Sequence, residues 1–447
     1  MKNRLRLFLK LSFLSVYSYL AWKFLAKSTL RLVENFIAAP VSFNMDTLYI
    51  NWNTSFPALT VCEMYNSEKI WDLSEQYFGL NHDLKIDDFV SEVVFFSGAC
   101  VSCAKCERME CPSNFTELLT LFRTKCSQLL QNCRYTNFHF DCCEEFLPIH
   151  TEYGICFAFN SNQARSYMRL RRFGRIKQIN GLLSLTLESQ ITHSKNDLVR
   201  FANNRATGPG HLKFDVSVDI QLHIHSSNDV PVPCYAGMIR ETILLGSTKE
   251  IIINVMEVYN DDSVAQLPLD QRRCRFSHET TEWGRKLGIY EFYSYPTCIV
   301  ECGLALEMKY CNCSNHFIAP AVKYSGGVTV SICDYYGLSC LTRHYEEMQS
   351  ERKSCDCISS CEEPEYNIVY SSTEDEFESD KEVTQVQISL IDLPTLRYVR
   401  RSINTPVDLL ISVCGIIGLF FNASILRIIE ILFYLRELKW SEVWERI

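Results

Sequence analysis

The sequence predicts a membrane protein in which two transmembrane α-helices flank one large, disulfide-rich α+β extracellular domain. Three observations carry that prediction. The chain has 447 residues, and 22 of them are cysteine, a density that reducing compartments seldom keep as structure. All but Cys414 lie between residues 26 and 404. An apolar segment stands near each end of the chain, and between the two are glycosylation sequons at Asn53, Asn114 and Asn312. Composition is otherwise that of folded protein, 47% hydrophobic and 22% charged, which excludes wholesale disorder. The formal charge of −9 argues against a nucleic-acid partner and suits a surface that attracts cations.

Residues 1–6 carry Lys2, Arg4 and Arg6 and are expected to be a short cytoplasmic N-terminus. Residues 7–25 follow as the first membrane helix. A basic start ahead of an apolar run also suits a signal peptide. No small-x-small site closes this run, however, and Trp22-Lys23 has the character of an interfacial anchor, which favours a retained helix. Residues 26–404 form the cysteine-rich extracellular domain, since such a block must face an oxidising space. Residues 409–435 form the second span, interrupted only by Arg427 and Glu430 and long enough to cross a tilted path. Residues 436–447, with Arg436, Lys439 and Arg446, return to the cytoplasm, so both termini are cytoplasmic in a two-span protein of the plasma membrane. A fourth sequon match, Asn422-Ala423-Ser424, lies inside the second span and is no glycosylation site.

Within the extracellular block, alternation predicts half-buried strands over Phe214–His223 and Val383–Leu390, and more buried ones over Ile251–Val258 and Tyr366–Tyr370. Helical periodicity runs over Phe115–Leu130, and Thr280–Leu287 begins another helix. Thr207-Gly208-Pro209-Gly210 reads as a turn, and acidic Ser371–Glu382 as a solvated loop. With no repeat or long linker, the block reads as one elaborated domain.

Few constellations offer chemistry. Cys100-x2-Cys103-x2-Cys106-x4-Cys111-Pro112 comes within one residue of an iron–sulfur spacing, its last interval being one residue too long, but a single such run among sequons in an oxidising compartment reads as disulfides. His223-x-His225, with His150, lacks a third zinc ligand at suitable spacing, so these are expected to be surface histidines. There is no nucleophile elbow, HExxH or phosphate-binding glycine loop. Neither an enzyme nor a metal or cofactor site is predicted.

The second span is the unusual element. Ionisable residues in a membrane helix usually line water or meet a partner, and Arg427 and Glu430, three apart, can neutralise each other. Gly415 and Gly418 permit close helix approach, and Asn422 and Ser424 place polar groups at mid-membrane depth. Two readings stand: a dimerising anchor with polar contacts, or a pore helix whose Asn422–Ser424 stretch dehydrates a cation.

Several segments resemble one family. Phe56-Pro57-Ala58-Leu59-Thr60-Val61-Cys62 is similar to the FPAVTVC signature of the degenerin/epithelial sodium channel superfamily. Tyr153-Gly154-Ile155-Cys156-Phe157-Ala158-Phe159-Asn160 resembles its G-x-C-Y-x-F-N element, and Gln271-Arg272-Arg273-Cys274-Arg275-Phe276 a segment of the arthropod pickpocket branch. The ordered series Cys298, Cys302, Cys311, Cys313, Cys333, Cys340, Cys355, Cys357 and Cys361 resembles the family's thumb ladder. Gly418 to Glu430 is similar to its pore pattern GLFxGxSxLSxxE.

The resemblance implies a trimeric channel, its extracellular domain built on antiparallel sheets with a disulfide-stapled helical thumb. It implies an amiloride-sensitive, sodium-selective, voltage-independent pore gated through that domain. Its partners would be sodium ions, the bilayer, identical or related subunits and an extracellular ligand of unknown kind. Asn422, Ala423 and Ser424 would form the filter, and Ile411, Gly415, Gly418, Arg427 and Glu430 would line or gate the path. Cys62, Cys156 and Cys274 join the ladder cysteines as disulfide candidates.

Three departures stand out. Asn422 replaces the filter glycine, Arg427 stands where a small hydroxyl residue is usual, and the His-Gly gating segment has no counterpart ahead of Leu7. Alongside the conducting subunit, the sequence therefore admits a poorly conducting modifier of a heteromeric channel. A two-anchor disulfide-rich receptor is the reading from another class.

Overall fold

A computed structural model describes residues 2–38, 41–48, 50, 52–109, 111–169, 201–233, 235, 237–321, 330–375, 383–403, 406–421, 429, 430 and 433. The chain forms two compact units: Met45–Val258 with Cys274–Tyr398, and Met1–Asn44 with Tyr259–Arg273 and Val399–Ile447.

The first unit holds two sheets around a shared core. One has five antiparallel strands in the order Ile239–Ile243, Ile220–His225, Ala58–Glu63, Gly154–Phe159 and Leu147–Thr151. Its middle strand, Ala58–Glu63, is buried along its whole length because each face meets a core. Leu59 and Val61 point into an aromatic cluster with Phe56, Phe146, Phe159 and Phe214, whereas Cys62 points toward the helices. Burying each such large side chain contributes about 1.5–3 kcal/mol.

The second sheet pairs Ser247–Asn260 with Thr384–Leu390, then His211–Val216, Leu130–Tyr135 and Phe138–His139, while Glu365–Asp375 lies on the other edge of Ser247–Asn260. Of these five pairings four are antiparallel, and Ser247–Asn260 and Thr384–Leu390 run parallel. The arms Glu365–Asp375 and Thr384–Leu390 straddle Ser247–Asn260, so one arm must run with it. The acidic segment expected to be a loop begins as strand, because Ser371–Asp375 extends the edge pairing and leaves Glu374 exposed; residues 376–382 lie outside the described residues.

Two other expectations are corrected. Phe214–His223 is not one strand: the chain leaves the second sheet at Val216 and enters the first at Ile220. Side chains and carbonyls between them make the crossing. Ser217 Oγ donates to Gln128 O at 2.6 Å, and Asp219 accepts from Leu245 N at 2.7 Å. The helix expected over Phe115–Leu130 stops at Phe122 and resumes only for Cys126–Leu129. Arg123 is drawn inward, and Thr124 N donates to Glu63 at 2.8 Å, which breaks the helical ladder.

Helices occupy the rest of the unit, stapled to one another. Helix Tyr295–Cys311 begins with a Ser294–Thr297 capping box and Pro296, and ends at Asn312 in the left-handed region. Cys298–Cys357 and Cys302–Cys355 tie it to the segment after helix Tyr345–Arg352. Cys311–Cys340 ties it to helix Tyr335–Arg343, and Cys313–Cys333 and Cys274–Cys361 close the flanking loops. Cys62–Cys156, Cys100–Cys103, Cys106–Cys111, Cys126–Cys143 and Cys133–Cys142 complete ten disulfides. Cys234 lies outside the described residues, and Cys414 is free and exposed.

Candidate pore site

Among the described residues the second unit contains two long helices and two short ones, Asp262–Ala265 and Leu269–Arg272. Helix Lys2–Ala38 is long, with Lys10 and Lys23 inside its apolar stretch; helix Pro406–Phe421 is apolar over 16 residues. No helix among the described residues is long and apolar enough to cross a membrane. The two helices touch each other, and Ala21 is buried. Much of their remaining surface is apolar and open: Phe13, Leu20, Trp22 and Phe24 on one, Val407, Leu410 and Ile411 on the other.

Pro406 opens the second helix, where its missing N–H costs nothing, and Asp408 sits in the favourable first turn. Spacings of four and three residues bring Ile411, Gly415 and Gly418 onto one face of this helix. A Cβ added at Gly415 would meet nothing within 4 Å, so this face is free to receive a neighbouring helix closely. Glu430 is helical and exposed. Asn422, Ala423, Ser424 and Arg427 lie outside the described residues.

The strand leading into this helix is anchored within the same unit. Asp261 N donates to Arg400 O at 2.9 Å, and Ser402 N donates to Ser263 Oγ at 3.1 Å. Arg400 Nη2 donates to Arg272 O at 2.9 Å, and its guanidinium lies over the Phe43 ring at 5.4 Å. Arg400 thus links the chain entering one helix, the chain leaving the other, and the Gln271–Phe276 signature. Its role had no sequence signal, since neither spacing nor composition sets Arg400 apart from Arg397 or Arg401.

The histidines expected at the surface are buried. His223 and His225 lie on a central strand of the first sheet, covered on both faces. His225 Nε2 lies 2.7 Å from Thr60 Oγ1, and His223 packs on Tyr153 at 4.8 Å between ring centroids. Burial pushes His223 down to about 3, reinforced by His225 and Arg240, and His225 down to about 4. His150 is half-buried between Phe317 O, at 2.7 Å, and the Tyr167 hydroxyl, at 3.0 Å.

A residue that sequence reading missed altogether organises the junction of sheet and helices. Arg123 donates from Nε to Val94 O at 3.0 Å, from Nη1 to Glu63 O at 3.1 Å and from Nη2 to Tyr153 O at 2.7 Å. Its guanidinium stacks on Phe95 at 4.2 Å. Burial lowers it to about 10, still charged at neutral pH. Gly154 makes room: at φ +103° its added Cβ would stand 2.6 Å from Arg123 Nη2.

The profile described as amiloride-sensitive sodium channel matches residues 3–434. The chain is 24% identical over 333 residues to the "Sodium channel protein Nach" of Drosophila ananassae, covering 71% of this chain and 58% of that protein. It is 22% identical over 348 residues to "Pickpocket protein 19" of Drosophila melanogaster, covering 73% and 63%. To "Acid-sensing ion channel 4-B" of Danio rerio it is 24% identical over 349 residues, covering 74% and 56%.

Proposed function

The chain belongs to the amiloride-sensitive sodium channel family, and from that premise we propose that it is a subunit of a sodium-selective, amiloride-sensitive, voltage-independent channel gated through its extracellular domain. The observation that carries this reading is the family match over residues 3–434, which includes both apolar segments as well as the disulfide-rich block. Members of this family are ion channels and not enzymes. In the proposed arrangement, residues 7–25 and 409–435 span the plasma membrane, residues 26–404 are extracellular, and residues 1–6 and 436–447 are cytoplasmic. Three subunits, identical or related, surround the pore.

Asn422, Ala423 and Ser424 form the filter, where backbone carbonyls and a small hydroxyl offset the cost of dehydrating sodium. The face made by Ile411, Gly415 and Gly418 lines the path or packs on the next subunit. Arg400 passes movement of the extracellular domain to the pore helix. Arg427 is neutralised by Glu430; unpaired, it would repel the permeant ion.

Expressed alone in oocytes, the chain is expected to carry an inward sodium current that amiloride reduces. Silence with current restored by Arg427→Ser and Asn422→Gly together would establish the second reading, a modifier of a heteromeric channel, which those two residues favour. Ser424→Cys should render the current sensitive to a thiol reagent; an unaffected current would remove Ser424 from the path. Chromatography in mild detergent is expected to show a trimer, whereas a stable monomer would argue for an anchored receptor.

Asn53, Asn114 and Asn312 are exposed and are the proposed glycan sites. At Asn312 the sequon hydroxyl of Ser314 is buried and donates to Glu307 at 2.6 Å, so modification there must precede closure of Cys313–Cys333. Each Asn→Gln variant is expected to remove one glycosidase-sensitive step in gel mobility. A variant that leaves the pattern unchanged marks an unused sequon.

A further inference from the structure

The chain crosses between its two units four times, after Asn44, Val258, Arg273 and Tyr398. One side chain of the first unit joins the chain beside three of those crossings. Arg397, at the start of strand Arg397–Ser402, donates from Nε to Glu257 Oε2 and from Nη2 to Asn53 O at 2.9 Å. Its guanidinium lies over the Trp52 ring at 4.4 Å. Trp52 and Asn53 follow the first crossing, Glu257 stands just ahead of the second, and Arg397 itself stands just ahead of the fourth. Arg400 gathers the chain within the second unit in the same way, through Phe43, the Asp261 N–H and Arg272 O.

The Arg397 contacts differ from an ordinary surface pair. Arg397 and Glu257 are both largely buried, at 16% side-chain exposure each. An ion pair withdrawn from water depends on good geometry and further hydrogen bonds, and removing one partner strands the other charge. The planar fork is what fits here: two nitrogens serve two acceptors while the flat face stacks on indole. Arg401, by contrast, meets Asp261 at 3.6 Å with both side chains exposed, an arrangement that holds little.

We propose that Arg397 is a positioning residue for gating. It makes the chain leaving the first helix, the strand Ser247–Asn260 and the chain entering the second helix move as one body. With the three joined, displacement of any one is carried to the other two; without Arg397 each yields by itself. The gating role rests on the channel reading above, whereas the joining of the three segments does not.

The test is hydrogen exchange on the full chain in mild detergent, alongside single-channel recording from oocytes. In Arg397→Gln, amides over Trp52–Phe56 and Val255–Val258 are expected to exchange about tenfold faster or more, with helix Tyr295–Cys311 unchanged. Arg397→Lys keeps a partner for Glu257 but has one nitrogen in place of the fork. It is expected to restore Val255–Val258 and leave Trp52–Phe56 fast. Where Arg397→Gln does not fold, Trp52→Leu, which removes the stacking face and keeps the ion pair, is expected to quicken Trp52–Phe56 alone. In the recordings, Arg397→Gln is expected to lower open probability by about threefold or more at unchanged unitary conductance and reversal potential. A wild type without current, alone or with a related subunit, would remove the gating role together with the channel reading, and exchange would then decide the joining. Unchanged exchange at both segments, or unchanged open probability where exchange has quickened, would overturn the proposal.

Discussion

Replacing Arg123 with methionine is expected to cost roughly 3 to 9 kcal/mol, because three backbone carbonyls lose their donor at about 1–3 kcal/mol each. A domain is typically stable by about 5–15 kcal/mol, so most of that margin goes with one side chain. The acceptors belong to separate segments: Val94 ends a helix, Glu63 ends the central strand, and Tyr153 lies in the turn before Gly154. Methionine would keep the stacking volume on Phe95 but could satisfy none of them. Arg123→Lys has one nitrogen for three diverging acceptors, so it should recover only part of the loss. Surface biotinylation and thermal melting would check this. A methionine variant that reaches the surface at the normal level and melts unchanged would show that water serves these carbonyls equally well.

Arg123 also shows what could be read in the sequence and what could not. The segments Phe56–Cys62 and Tyr153–Asn160 stood out by resemblance, and they turn out to be neighbouring strands joined by Cys62–Cys156. Register explains the bridge: Val61 pairs with Phe157, so Cys62 and Cys156 are the next pair, with Cα atoms 4.6 Å apart. Gly154 was visible as a motif residue, but its reason was not, because the guanidinium it accommodates comes from a segment that reads as mid-helix. Apolar periodicity over Phe115–Leu130 is real, yet it carries no information about a tertiary acceptor able to stop the helix at Arg123.

The same limit accounts for the remaining misreadings. Alternation continues through Phe214–His223 because each strand needs it locally, and the change of sheet is made by Ser217 and Asp219 with partners far along the chain. The parallel pairing of Ser247–Asn260 with Thr384–Leu390 is a property of topology and leaves no mark on either strand. Polar histidines on an alternating strand read as exposed. A strand between two cores buries both faces, and Thr60 and Tyr153 supply His225 and His223 with neighbours that no local pattern records. Cysteine spacing, by contrast, signalled a stapled domain correctly while leaving every partner open.

Replacing His223 and His316 together with phenylalanine is expected to remove roughly 4 kcal/mol of acid sensitivity. Burial, reinforced by His225 and Arg240, holds His223 at about 3. His316, buried against Phe115 and Phe317 near Arg123, is held at about 4 despite its bond to Val93 O. In the unfolded chain each imidazole titrates near 6.5. The folded value lies below the unfolded one, so between the two the unfolded state binds the extra proton. Stability is therefore whole above about pH 6.5 and is lost by about 1.4 kcal/mol per pH unit per histidine as the pH falls toward 4. At pH 5 that amounts to roughly 2 kcal/mol for each residue. Asp229 and Glu301, which burial raises to about 7, act in the opposite direction, since their protonated forms favour the folded state on acidification. Those contributions are common to wild type and variant and cancel in the difference. The loss of the Val93 bond lowers the variant by a constant amount at every pH. Melting curves of both proteins at pH 7.5 and pH 5 would measure the remainder, with the wild type falling further between the two. Parallel shifts would mean that both imidazoles titrate alike in the folded and unfolded chains.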